Sequence, residues 1–347
     1  MKRVVSSVLL VLLVGLFAVS CGDDQTAASA SKGSADSGTR IADAVSADES
    51  YIFVNCLGNI EFFNAHKYGW AKAGEQFGVK TSYVGPADFD IPAMIDAFNT
   101  AIAMNPSGIA VWGVDPSLIP VIDRATELGI PVVTVVGDLP DSSRITYVGS
   151  YQYDLGYRGG IGFAESINGK GKVAVLTLPG VSMFDDREQG FRDAFAKYPG
   201  IDVVAVGDTK ADSIVAVNAA KDIMVRFPDL AGFVGTDSTA AMGAAIAVEE
   251  SGKVGEVGIV GMDRNTDMLE KIRAGVITAS VAQGDVMVPF WALQALINHN
   301  HYSPKLTADN QAAGAAYDPS VIYIPANYID ASNLDLFIQA NDEYLNY

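Results

Sequence analysis

From Tyr51 onward, short apolar runs alternate with longer stretches in which apolar residues recur at helical spacing. A first pass reads YIFVNCLG (strand), FNAHKYGWAKAGEQFG (helix), VKTSYVGP (strand), PAMIDAFNTAIAMNP (helix), GIAVWGVDP (strand), LIPVIDRATELG (helix) and IPVVTVVGD (strand). A second pass repeats the order with KVAVLTLPG, DDREQGFRDAFAKYPG, IDVVAVGD, IVAVNAAKDIMVRFP, LAGFVGTDS, AAMGAAIAVEESG and VGIVGMD. The strands are continuously apolar, the pattern of parallel strands buried on both faces. The helices are expected to close at Gly78, Pro106 and Gly129, then at Gly200, Pro228 and Gly252. This order predicts an α/β chain of two doubly wound, Rossmann-like parallel-sheet domains that change over near Gly149-Ser150. ITASVAQGDVMVPFWALQALIN adds a strand and a helix, and IYIPANYID one more strand. Their return to the two domains makes a multi-strand hinge. The expected lobes are residues 51–150 with about 284–316, and residues 151–283 with about 317–347.

The first fifty residues follow another pattern. Lys2 and Arg3 precede a largely apolar run from Val4 to Val19, and Ala18-Val19-Ser20 stands before Cys21. This resembles a lipoprotein export signal, which implies removal of the leader and acylation of Cys21. The alternative, an uncleaved anchor, requires a longer apolar run. Residues 22–50 are rich in Ser, Ala, Gly, Asp and Thr and read as a flexible tether to the membrane, with a reach on the order of 30 Å.

The chain carries 41 acidic and 23 basic residues, a net charge of −18. That balance lacks the basic footprint of a nucleic-acid-binding protein. Of its two cysteines, a lipidated Cys21 leaves only Cys56, in the first strand, so no intramolecular disulfide is expected. Cys56 reads as a small buried hydrophobe.

In open α/β sheets, ligands bind beyond the C-terminal ends of the strands. The first domain offers Asn59, Phe62 and Phe63, then Trp112 and Asp115, then Asp138. The second offers Asp185, Asp186 and Arg187, Asp208, Thr236 and Asp237, and Asp263, Arg264 and Asn265; the late strand ends in Gln283 and Asp285. Aromatic rings suit the C–H face of a sugar, while carboxylates, amides and a guanidinium suit its hydroxyls. Several positions keep a structural alternative: Phe62 and Phe63 in the core, Arg187 paired with Asp185 or Asp186, and Asp237 or Asp115 as helix caps. Trp70 and Trp291 read as packing residues. No G-x-S-x-G, P-loop, H-E-x-x-H or C-x-x-C motif occurs. Gly159-Gly160-Ile161-Gly162 follows no apolar strand and so does not read as a dinucleotide site. His299 and His301 have no third ligand at sensible spacing and read as solvated loop residues. His66 reads as a surface or interface residue.

From about residue 51 the chain resembles the type I periplasmic sugar-binding proteins of the ribose-binding class. The resemblance rests on Asn59-Ile60-Glu61-Phe62-Phe63 after the first strand, Arg187 in REQGF, and Thr236 to Ala244 as an N-D-x-x-A-x-G-A motif. Gly261-Met262-Asp263, Ala282-Gln283 and the IPVVTVVGD…YVGSYQYDLG pair complete it. Trp112 replaces the usual polar residue after the third strand. Val136 stands where the fourth strand's aspartate is expected, with Asp138 two places on, and Thr236 replaces an asparagine. The resemblance implies a monomeric binding protein whose lobes close on a monosaccharide or related ligand and deliver it to an ABC permease, without cofactor or metal. It implies ligand contacts at Asn59, Phe62, Phe63, Trp112, Asp138, Arg187, Thr236, Asp237, Asp263 and Gln283. Within the same fold, a sensor of sugars, polyols or nucleosides is the alternative. In another class it is a glycoside hydrolase using two cleft carboxylates.

Overall fold

The computed structural model describes residues 44–302, 304–310 and 312–345. The leader, Cys21 and most of the proposed tether lie outside the described residues. The first lobe runs through β1 (Ser50–Val54), α1 (Phe62–Phe77), β2 (Lys80–Val84), α2 (Ile91–Ala103), β3 (Gly108–Trp112), α3 (Ile119–Glu127), β4 (Val132–Val135) and β5 (Thr146–Gly149). The second follows with α4 (Gln152–Ser166), β6 (Lys170–Thr177), α5 (Ser182–Phe195), β7 (Gly200–Asp208) and α6 (Ser213–Arg226). It continues through β8 (Leu230–Gly235), α7 (Ser238–Glu250), β9 (Gly258–Met262), α8 (Thr266–Arg273) and β10 (Ala279–Ala282). The chain ends with α9 (Met287–His301), β11 (Val321–Tyr323), β12 (Asn327–Asp330) and α10 (Leu334–Tyr344).

Two six-stranded sheets result, in the orders β11-β5-β4-β3-β1-β2 and β12-β10-β9-β8-β6-β7. The pairings are parallel except β12 on β10. Successive residues of one strand feed opposite cores, as the continuous apolar runs require. In β1, Ile52 and Val54 pack on one face of the sheet and Tyr51 and Phe53 on the other. In β6, Ala174 and Leu176 divide from Val173 and Val175 in the same way. Each lobe is thus a helix–sheet–helix sandwich.

Three crossings join the lobes: Ser150-Tyr151 after β5, Gln283 to Val286 after β10, and Ile324 to Ala326 between β11 and β12. They lie side by side, since the Ile324 N–H donates to the Gly149 carbonyl and a Cβ on Gly284 would strike the Ile324 side chain.

Several expectations need correction. Val321–Tyr323 pairs with β5 in the first sheet, so the last crossing comes at Pro325 rather than near 317. Proline cannot donate to a ladder, and IYIPANYID becomes two strands. Gly200 opens β7, while α5 ends at Phe195. The glycines of α4 serve close helix packing: a Cβ on Gly159 or Gly160 would meet Phe191 or Ala194 of α5. The tether reading runs too far, because Val45 packs on the first core and Glu49 accepts hydrogen bonds from Tyr51 and pairs with His301. His299 and His301 close α9 and meet Asp318 and Glu49 at 2.7 and 2.9 Å, so they are paired rather than solvated. Trp70 is a core residue as expected, its indole N–H donating to the Ser82 carbonyl, whereas Trp291 is exposed.

Candidate functional site

The C-terminal ends of both sheets converge on a cavity of about 460 Å³ between the lobes, a size suited to a small ligand. Lobe 1 supplies Phe62 and Phe63 from the first turn of α1, Trp112 from the end of β3 and Val136 just beyond β4. Phe63 packs edge-on to Phe62 and tilted against Trp112, with ring centroids 5.0 Å apart in each case. Phe63 is itself 1% exposed, so it supports the wall while Phe62 and Trp112 retain more surface. His66 lies beneath them, buried rather than at the surface, its ring 4.9 Å from that of Phe62 and 5.3 Å from that of Phe63. Burial pulls its pKa down to about 4, so the imidazole is neutral at pH 7 and Nδ1–H donates to the Phe62 carbonyl at 3.2 Å.

Lobe 2 supplies the buried charged groups, together with Met183 and Phe184, while Glu61 of lobe 1 also lines the cavity. Arg187, on α5, is 3% exposed. Its Nε donates to Gln152 Oε1 and its Nη1 to the Thr236 carbonyl, both at 2.8 Å. Burial disfavours its charge, and the carboxylates of Asp263 and Asp237 offset that effect. Asp237 caps α7, accepting from the Ala240 N–H at 2.7 Å, while its side chain also lines the cavity. Cap and cavity residue are therefore one and the same. Burial raises the pKa of Asp237 and Asp263, with Arg187 pulling both back. Asp285 is 4% exposed, and its pKa is pushed well up by burial and then by Asp263. Among the described residues, its Oδ1 has no hydrogen-bond partner.

Of the ten ligand contacts that the resemblance implies, Phe62, Phe63, Trp112, Arg187, Asp237, Asp263 and Gln283 line the cavity. Three do not. Asp138 is turned to Arg144, with Nε–Oδ1 2.5 Å and Nη2–Oδ2 2.7 Å, and also accepts from Thr134. Thr236 is buried; its hydroxyl meets Thr177 at 2.9 Å and its carbonyl holds Arg187. Asn59 is exposed on the loop before α1, its N–H bound to the Ala87 carbonyl. Arg187 does not pair with Asp185, which accepts from the Gly180 N–H. Asp115 caps a short 3-10 turn.

No strand-end signal in the sequence points to the C-terminal helix. Asn341 and Tyr344 of α10 line the cavity. Arg264 lies between the Phe337 and Tyr344 rings, 5.0 and 5.2 Å from their centroids, and donates to Asn341 Oδ1. From α10, Glu343 accepts from Tyr68 of lobe 1 at 2.7 Å, and Tyr344 packs on the same ring at 4.8 Å. Glu61 of lobe 1 accepts from both the N–H and the hydroxyl of Thr266. The lobes are therefore in contact along this mouth of the cleft.

Strand-end placement, an aromatic wall and a carboxylate–guanidinium wall together describe a site built to enclose a small polar molecule. Residues 51–301 match the family model described as periplasmic binding protein domain. The chain belongs to that family. Its described fold is similar to an arabinose-binding protein from Geobacillus stearothermophilus, with a TM-score of 0.79 and 29% identity, covering 84% of this chain and 99% of that one. The D-allose-binding periplasmic protein of Escherichia coli is 25% identical over 74% of this chain and 85% of its own length. A xylitol-binding protein of Mycolicibacterium smegmatis is 31% identical over 49% of each chain. Family membership carries an extracytoplasmic location. No described helix is long and apolar enough to cross a membrane.

Proposed function

We propose that the protein captures a monosaccharide or polyol between its lobes and presents it to an ABC permease, held at the membrane through lipid on Cys21. The observation that carries this reading is the division of one cavity between aromatic rings and buried polar groups. Phe62 and Trp112 offer apolar faces to C–H groups. Asp237, Asp263 and Asp285 accept hydroxyl hydrogens, and Arg187, fixed on two sides by Gln152 and the Thr236 carbonyl, is pre-oriented to donate. The named ligands of similar proteins, arabinose, D-allose and xylitol, support the ligand class.

A thermal-shift screen of protein refolded from denaturant, against pentoses, hexoses, deoxy sugars, polyols and nucleosides, tests the proposal. A ligand at 100 times its dissociation constant stabilises by about 2.7 kcal/mol, a rise of several degrees. The bound compound should be recovered unchanged; its hydrolysis would indicate a glycosidase instead.

A further inference from the structure

The two lobes repeat the same geometry at one strand end, and the side chains there differ. Val136 follows β4 and Asp263 follows β9, each strand third from the hinge edge of its sheet. Val135 pairs with Val148 and Met262 with Val281, so the next residues occupy matching places. The Val136 N–H donates to the Val148 carbonyl at 3.2 Å, and the Asp263 N–H to the Val281 carbonyl at 3.0 Å. Both backbones are left-handed, with φ of 63° at Val136 and 74° at Asp263. Aspartate tolerates that region, but a β-branched residue is strained in it. Both residues line the cavity. Lobe 1 thus holds an isopropyl group, in an unfavourable conformation, where lobe 2 holds a carboxylate, and Trp112 lies on the neighbouring strand. Strain kept at a cleft points to a role in what the cleft accepts.

Resting on the sugar-binding reading above, we infer that the ligand is a sugar or polyol whose edge facing lobe 1 lacks a hydroxyl: a deoxy or methyl-bearing position packs on Val136 and Trp112. Its hydroxyls face Asp237 and Asp263. A hydroxyl on the lobe-1 edge loses its water there and finds an isopropyl group and an indole ring in exchange.

Isothermal titration of matched pairs, a hexose with its 6-deoxy form and a pentose with its deoxy form, into wild type and Val136→Asp tests this. In at least one pair the deoxy member is expected to bind wild type about tenfold or more tightly than its partner. Val136→Asp, which also relieves the backbone, is expected to erase or reverse that ratio. Equal or tighter binding of the hydroxylated member by wild type overturns the inference and leaves the binding reading standing. So does a deoxy preference that Val136→Asp leaves unchanged, because the selecting group then lies elsewhere. If the variant misfolds by circular dichroism, the wild-type ratio alone decides. Absence of binding by every sugar and polyol overturns the binding reading itself, and this inference with it.

Discussion

Arg187 and Asp285 are buried ionisable groups with opposite circumstances. Arg187 has partners at two of its nitrogens, so Arg187→Ala removes the proposed ligand donor and also strips the Thr236 carbonyl and Gln152 of theirs. Titration calorimetry should show at least a tenfold loss of affinity, with a lowered melting temperature even without ligand. Asp285 has an oxygen without a hydrogen-bond partner among the described residues and a pKa raised by burial. A carboxyl whose folded-state pKa lies above its unfolded value favours folding below the unfolded pKa. That contribution disappears as pH rises through the folded value. Asp285→Asn, which cannot ionise, should therefore be more stable than wild type near pH 8, and the gap should close as pH falls toward the ordinary carboxylate range. Melting curves across pH check this; a gap that widens toward acid contradicts it. The site was only partly legible at this scale. Strand-end position places Trp112, Asp237 and Asp263 at the cavity, but Asp138 is held by Arg144, whose place in the loop before β5 periodicity does not describe. Val136, two residues earlier, takes the cavity position instead.

At the scale of elements, β1, β3, β4, β6, β8 and β9 were readable because burial on both faces leaves uninterrupted apolar runs. The helix α8 was missed: TDMLEKIR is short and mostly polar, with only Met268, Leu269 and Ile272 facing inward. The helix α4 leaves little signal because QYDLGYRGGIGFAES carries four glycines, of which Gly156, Gly159 and Gly160 serve its close approach to α5 and Gly162 its approach to Tyr328 of β12, rather than helix propensity. Phe53 on β1 and Phe233 on β8 are fully buried, and truncating either to alanine should cost about 3–5 kcal/mol in chemical denaturation. The C-terminal helix α10 has no local signal for its place at the cleft, since its contacts reach back 275 residues to Tyr68 and 77 residues to Arg264. It ties the lobes at one mouth, so Tyr344→Ala should raise the ligand dissociation rate several-fold while leaving association little changed. Stopped-flow fluorescence separates the two; an unchanged dissociation rate removes α10 from the closing contact.

For the molecule as a whole, two sheets of matching order joined by three adjacent crossings allow rotation of one lobe on the other with little cost to either core. The lobe-to-lobe hydrogen bonds at Glu61–Thr266 and Tyr68–Glu343 are exposed, the kind that form and break readily. Calorimetric titration of refolded protein with the sugar or polyol that most raises its melting temperature, beside the same titration of Arg187→Ala, decides whether the cleft captures such a ligand. Wild type is expected to bind saturably and one-to-one, and the substitution to weaken that binding strongly. Equal binding by both proteins, or no binding by any sugar or polyol, would contradict that expectation.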